Sequence, residues 1–340
     1  MLSWRYKKMR KLVVLAIIFF LPTSALALEL QKPIDCEMGT DCFIQNYVDM
    51  EPKKEGLDFR CGYLSYNENK GTDFRLKNYV QMEQGVTVLA AAKGRVIGVR
   101  DGFEDININD INPETIKGQE CGNGIVIDHG DGWKTQYCNM MKNSLYVKKG
   151  QEVKAGEKLG KIGLSGDTSY PRLTFYVRNE GDYIDPFSAK NANEGCQPEK
   201  PEFPLWSEKA LKSMPLVDSA ILGIGFSGNK PDGESARKGK YDDKTISSDS
   251  EMLVFWADIM GLQPNDVLIL QIIGPDGKKV IEHQKNFIEP KAQQFYFTGK
   301  KIEEDGSWTP GIYQGKLTLI RTKKEKSETV LKKTIETYLR

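Results

Sequence analysis

Only two histidines, His129 and His283, occur among the 340 residues, and this scarcity limits the chemistry available. A catalytic zinc takes three protein ligands, commonly neutral imidazoles, and keeps a fourth position open for water. No site of three or four imidazoles can be assembled from this chain. His129, in Ile-Asp-His-Gly-Asp-Gly (127–132), reads as a structural residue at a hairpin tip, and His283 as a surface residue at a strand end. The run Asp105-Ile-Asn107-Ile-Asn109-Asp110 begins like a calcium loop, but it lacks glycine at its sixth position and has Ile116 where the twelfth should be an acid. It reads instead as a solvated rim.

The cysteines are more numerous: Cys36, Cys42, Cys61, Cys121, Cys138 and Cys196, none in C-x-x-C spacing. An even count favours disulfides if the compartment is oxidising. Spacing ranks the pairings. Cys36 and Cys42 close a short loop, and Cys121 and Cys138 flank a hairpin whose loop is either His129-Gly130 or the four residues 129–132. Cys61 and Cys196 remain, and their bond would bracket a first domain. Free buried thiols are the alternative.

The compartment follows from the N-terminus. Arg5, Lys7, Lys8, Arg10 and Lys11 precede an apolar run from Leu12 to Leu21 and then Ala25-Leu-Ala27, the pattern of a secretory signal cleaved after Ala27. That run is short of the roughly 20 apolar residues a bilayer span needs. The expectation is export across the inner membrane to the periplasm or cell envelope, with no stable transmembrane anchor. Removing those five cations from 48 leaves 43 basic against 47 acidic residues, which excludes nucleic acid as a partner.

The elements that must position any site are strands. From Val86 to Phe187 short apolar runs alternate with glycine turns, and helical periodicity is nearly absent. After a Pro-, Glu- and Asn-containing stretch, the strands lengthen: 252–259, 267–273, 280–283, 294–297, 312–321 and 330–339, with a turn at Gly274-Pro-Asp-Gly277. The run Phe226 to Ser250 reads as a long exposed loop. The fold class expected is all-β. It divides into a signal peptide (1–27), an N-terminal segment with a short disulfide loop (28–57), an antiparallel β domain (58–190), a linker (191–204) and an immunoglobulin-like β-sandwich (205–340).

Several separated motifs of the first domain resemble, in order, those of the lysostaphin-type, LytM-like zinc endopeptidases of peptidoglycan, a duplicated hybrid motif fold. Asn69-Lys-Gly-Thr-Asp73 stands where that family has His-x-x-x-Asp, Tyr137-Cys-Asn139-Met where it has Tyr-Ala-His-Leu, and Pro171-Arg172-Leu-Thr174-Phe where it has Pro-His-Leu-His-Phe. Gly122-Asn-Gly-Ile-Val-Ile-Asp-His-Gly matches the central hairpin, and Asp185-Pro-Phe closes the domain. The resemblance implies zinc bound through positions 69, 73 and 174, assisted by 139 and 172. Of these only Asp73 keeps the family's residue.

An amide oxygen and a hydroxyl are weak zinc ligands beside imidazole. Arg172 would place a fixed positive charge beside the metal, and its expected role is to pair with Asp73 instead. Asn69, Asp73, Asn139, Arg172 and Thr174 are therefore remnant positions, with no catalytic residue and no cofactor expected. Trp133, Tyr137, Tyr170 and Tyr176 are candidates for contacts to sugar or peptide, or for ordinary packing. The implied function is binding of peptidoglycan or regulation of a cell-wall hydrolase or another envelope protein. An active zinc endopeptidase cutting peptidoglycan cross-links is the alternative, and zinc is its cofactor.

Overall fold

The computed structural model describes residues 28–51, 53, 56–199, 201, 203–242, 245–302 and 306–340, so the signal expected at 1–27 lies outside the described residues. Among the described residues the fold is all-β, built of sheets that are antiparallel except for one short parallel pair, with three short α-helices, α1 (Tyr79–Gln84), α2 (Glu208–Ser213) and α3 (Gly233–Arg237), and two 3-10 turns. Among the described residues no helix is long and apolar enough to cross a membrane.

The strands of the first unit are β1 (Cys42–Asn46), β2 (Thr72–Leu76), β3 (Thr87–Leu89), β4 (Gly94–Arg100), β5 (Asn123–Gly130), β6 (Trp133–Met140), β7 (Glu152–Val153), β8 (Lys158–Lys161), β9 (Arg172–Asn179), β10 (Asp182–Asp185) and β11 (Lys190–Asn191). Their main sheet runs β1-β2-β9-β6-β5-β4-β7, with β10 paired to β9 and β11 to β10, while β3 and β8 pair separately. Period-2 alternation sets its two faces. On β9, Leu173, Phe175 and Val177 enter the core with Phe74 of β2 and Tyr137 of β6, and Arg172, Thr174 and Tyr176 point to the opposite face.

Packing does not break where composition changes. Leu30, Ile34 and Met50 lie in the same core as β9, and β1 is a strand of its sheet, so no boundary falls at 57/58. Leu30 bridges to Trp206, and Leu205, Trp206, Ala210 and Met214 also belong to this core. The first unit thus extends through helix α2 (Glu208–Ser213), past the boundary expected at 204/205. Residues 191–199 are half-buried or exposed and are tied down at Cys196 by its disulfide.

The three disulfides are Cys36 to Cys42, Cys61 to Cys196 and Cys121 to Cys138, as spacing ranked them. The hairpin they flank differs from both loops expected. β5 continues through His129 and Gly130, Gly130 faces Trp133, and a register shift after Asp128 leaves Asp131-Gly132 as the turn. Both turn residues have positive φ, +48° and +81°, which suits Asp and Gly in a tight reversal. His129 is structural: Nδ1 donates to the Lys93 carbonyl at 2.7 Å, and Nε2 meets Thr135 Oγ1 at 2.8 Å.

The second unit has β12 (Ala220–Ser227), β13 (Thr245–Ile246), β14 (Met252–Leu262), β15 (Asp266–Ile273), β16 (Lys279–Asn286), β17 (Lys291–Lys301), β18 (Gly311–Lys323) and β19 (Lys326–Leu339). Sheets β12-β14-β17 and β13-β19-β18-β15-β16 share one core, with Phe255, Ala257 and Ile259 among its residues from the first sheet and Leu268, Leu270, Leu317 and Leu319 from the second. Arg321, 1% exposed, grips Asp266 with two bonds of 2.8 Å and fixes the β15/β18 register. His283 is exposed as expected, but it lies within β16 and not at its end. The run 226–250 is not simply a loop. It contains helix α3 (Gly233–Arg237), capped by Asp232, and β13, with Phe226, Ala236 and Ile246 buried. A helix of five residues is too short to show a period in sequence.

The units touch through side chains. Phe43 packs with Ala220, Leu222 and Met260. Buried Arg75 donates to Gln45 of β1 and, at 3.0 Å, to Gln293 of β17. Gln293 in turn donates to Asp258 at 2.7 Å, and Asp258 is ion-paired with Arg237 of α3.

Candidate functional site

The remnant positions gather around a cross-strand row. Asn46 of β1 faces Asp73 of β2, Asp73 faces Thr174 of β9, and Thr174 faces Cys138 of β6. Directly opposed residues share a sheet face, so this register places their side chains together. Two pairs along, on the same face, Arg75 faces Arg172. Gly71 makes the approach possible: a Cβ there would lie 2.8 Å from Thr174 Cγ2 and about 3.0 Å from the Tyr176 ring.

Asp73 has no solvent exposure, and protein donors engage both its oxygens. Thr174 Oγ1 donates to Oδ1 at 2.7 Å; Arg172 Nη1, at 2.8 Å, and Asn46 Nδ2, at 2.9 Å, donate to Oδ2. Tyr170 caps the group, its hydroxyl 3.5 Å from Asp73 Oδ2 and 3.2 Å from both Arg172 Nη1 and Asn46 Nδ2. Arg172 Nη2 donates to the Asp167 carbonyl at 2.8 Å. Burial by itself would lower the pKa of Arg172, but the Asp73 carboxylate together with Tyr170 and Tyr66 outweighs it and drives the value further up. The phenol of Tyr170 is pushed up to about 12, first by burial and then by Asp73. This is a closed ion pair, and its geometry meets the expectation that Arg172 pairs with Asp73.

Asn69 and Asn139 serve the backbone. Asn69 Nδ2 donates to the carbonyls of Tyr47 at 2.7 Å and Gly71 at 2.9 Å, while its Oδ1 accepts from Gly71 N. Asn139 has φ of +63°, a left-handed conformation asparagine tolerates, where β6 leaves regular register. Its side chain donates to the Ser165 carbonyl at 2.8 Å. Beside it the Cys121 to Cys138 disulfide, with Cα atoms 4.7 Å apart, ties β6 to the segment entering β5.

Zinc does not fit this donor set. A carboxylate whose oxygens already accept from a guanidinium, an amide and a hydroxyl offers no ready lone pair, and the cation beside it repels a second one. Among the described residues no three His, Cys, Asp or Glu side chains converge.

Over the outer face of the sheet runs an open groove of about 570 Å³, floored by Gly98 and Gly124 and walled by Tyr66, Tyr176, Tyr183, Lys70 and Arg100. Of the remnant positions only Asn69 lines it; Asp73 lies outside its wall. Lys70 and Arg178 stand 5.3 and 5.6 Å from the Tyr183 ring, close enough for cation–π attraction. Among the aromatic candidates only Tyr176 reaches the groove, since Trp133 packs on the core, Tyr137 is buried with its hydroxyl accepting from Ala91 N, and Tyr170 caps the ion pair. Sequence reading missed Asn46, which bonds Asp73 from a segment assigned outside the domain, and the groove residues Tyr66 and Tyr183. The Asp105 run is also structural: its carboxylate accepts from Leu164 N and Lys142 N at 2.7 and 2.9 Å.

The sheet, the cross-strand row and the motif order define a peptidase-type domain with an altered centre. Residues 67–186 match Peptidase family M23, and this part of the chain is a LytM-like M23 domain. The chain is 30% identical over 118 residues to "Murein hydrolase activator NlpD" of Escherichia coli (strain K12), covering 35% of this chain and 25% of that protein. It is 31% identical over 107 residues to "Cell division protein DipM" of Caulobacter vibrioides, covering 32% and 16%. It is also 31% identical over 121 residues to "Peptidoglycan DD-endopeptidase ShyB" of Vibrio cholerae, covering 36% and 23%. The chain thus spans about a quarter or less of the length of these relatives.

Proposed function

We propose that this is an exported, catalytically inactive M23-fold protein of the cell envelope, which regulates a cell-wall hydrolase or binds peptidoglycan without cutting it. The observation that carries the reading is the Arg172 guanidinium seated on Asp73, with the Thr174 hydroxyl on the other oxygen. An arginine stays charged at any physiological pH, so no protonation change opens the site to a metal. The groove beside it is open, and the Cys121 to Cys138 disulfide braces the strands of its floor. Likeness to proteins named as a murein hydrolase activator and a cell division protein supports a regulatory role. The three-strand and five-strand sheets, with β13 parallel to β19, support an immunoglobulin-like reading of the second unit.

Three measurements on the protein purified without chelator test this. Elemental analysis is expected to find zinc far below one equivalent, and incubation with isolated peptidoglycan to release no muropeptides. The protein is expected either to change the rate of a wall hydrolase or to sediment with peptidoglycan. Stoichiometric zinc with muropeptide release would establish the active endopeptidase instead.

A further inference from the structure

Among the described residues, strand β17 closes one side of its sheet, pairing with β14 along its length and with no other strand. Its outer edge is thus a row of backbone groups facing outward. Edge strands in natural proteins are normally guarded by charges, proline or a bulge. The other edges here follow that rule: β16 carries Lys279, Glu282 and Lys285, and β12 has a register shift after Ile221 and is mostly buried. β17 does not. Between Lys291 and Lys300 lie eight uncharged residues, Ala-Gln-Gln-Phe-Tyr-Phe-Thr-Gly, without proline and without a marked bulge. Phe297 is 36% exposed, and Phe295, on the same face, stacks on Trp256 with centroids 5.6 Å apart, giving the outer face an apolar strip beside that edge.

The geometry points to β17 as a strand-addition site for a partner protein: an extended segment with apolar side chains at alternate positions and acidic residues at its ends. Backbone pairing supplies the attraction, and alternate side chains meet the strip around Phe297. Charge selects the occupant. Antiparallel pairing of two copies about Tyr296 would set Lys291 opposite Lys301 and Ala292 opposite Lys300, and like charges directly opposed are destabilising. Acidic ends instead meet Lys291 and Lys301, whose present partners Glu289 and Glu251 are exposed and readily exchanged. This inference is independent of the state of the M23 centre.

The test uses the full chain and a synthetic nine-residue peptide of alternating valine and threonine with a glutamate at each end. Binding by fluorescence anisotropy is expected, with amide exchange slowed within 291–301. N-methylation of alternate peptide amides, replacement of its glutamates by lysine, and Phe297→Lys in the protein should each weaken binding about tenfold or more. Circular dichroism confirms that the variant stays folded. Equal binding of the N-methylated peptide, absence of binding, or protection elsewhere would overturn the proposal. So would slowed exchange in 291–301 that rises with protein concentration without peptide, which would mark a self-pairing edge.

Discussion

The guanidinium of Arg172 lies 2.8 Å from the fully buried carboxylate of Asp73. The positive side chain balances the buried negative charge. Removing one partner leaves the other buried and uncompensated. Arg172→Ala is therefore expected to lose about 3 kcal/mol of unfolding free energy, and Arg172→Met combined with Asp73→Leu to lose less. Urea unfolding of the two variants measures this, and equal losses would show that the pair is not coupled.

Restoring imidazole tests the ancestry of the site. The change Asn69→His with Asn139→His, Arg172→His and Thr174→His is expected to take up about one equivalent of zinc. Asn139→His by itself should take up none, because Arg172 still occupies Asp73. Equilibrium dialysis with elemental analysis reads both. No uptake by the quadruple variant would mean that these positions do not converge as the motif order implies.

Stability should depend on pH through Asp185. Burial pushes its pKa up to about 6, with the Ser188 hydroxyl and backbone opposing. An unfolded aspartate titrates near 3.9, so between about pH 4 and 6 the folded state binds more protons than the unfolded one. Stability from this group is fully present below about pH 4, falls as pH rises through about 6, and is level above. Asp185→Asn should remove this fall, on the order of 2 kcal/mol. Thermal melts of both proteins from pH 4 to 8 give the comparison.

The disulfides should differ in value with the length of chain they close. Replacing Cys121 and Cys138 by alanine removes a link of sequence separation 17 and is expected to cost about 3 kcal/mol. Replacing Cys61 and Cys196, separated by 135, is expected to cost about 4 to 5 kcal/mol. Denaturant midpoints rank the two variants, and the opposite order would point to structure retained in the unfolded chain.

Much of this was legible before any coordinates. Short apolar runs between glycine turns marked residues 86–187 as strands, and the paired types at 73 and 172 predicted their bond. What stayed hidden depends on contacts distant in sequence. Asn46 reaches Asp73 only because β1 joins the sheet, and nothing in residues 42–46 announces that neighbour. Trp206 looked like the start of a new domain, although its indole packs against Phe74, Phe175 and Phe187. The roles of Asn69 and Asn139 were missed because a side-chain amide can turn to the main chain, and only φ and carbonyl positions reveal which way it turns.

The bridge between Leu30 and Trp206 also sets a timetable. Ribosomes deliver Leu30 well over a hundred residues before its partner, so the first unit cannot finish its interior until Met214 has emerged. Until then a half-made sheet waits with its aromatic side uncovered, and it is in that interval that a chaperone or a protease would meet this chain.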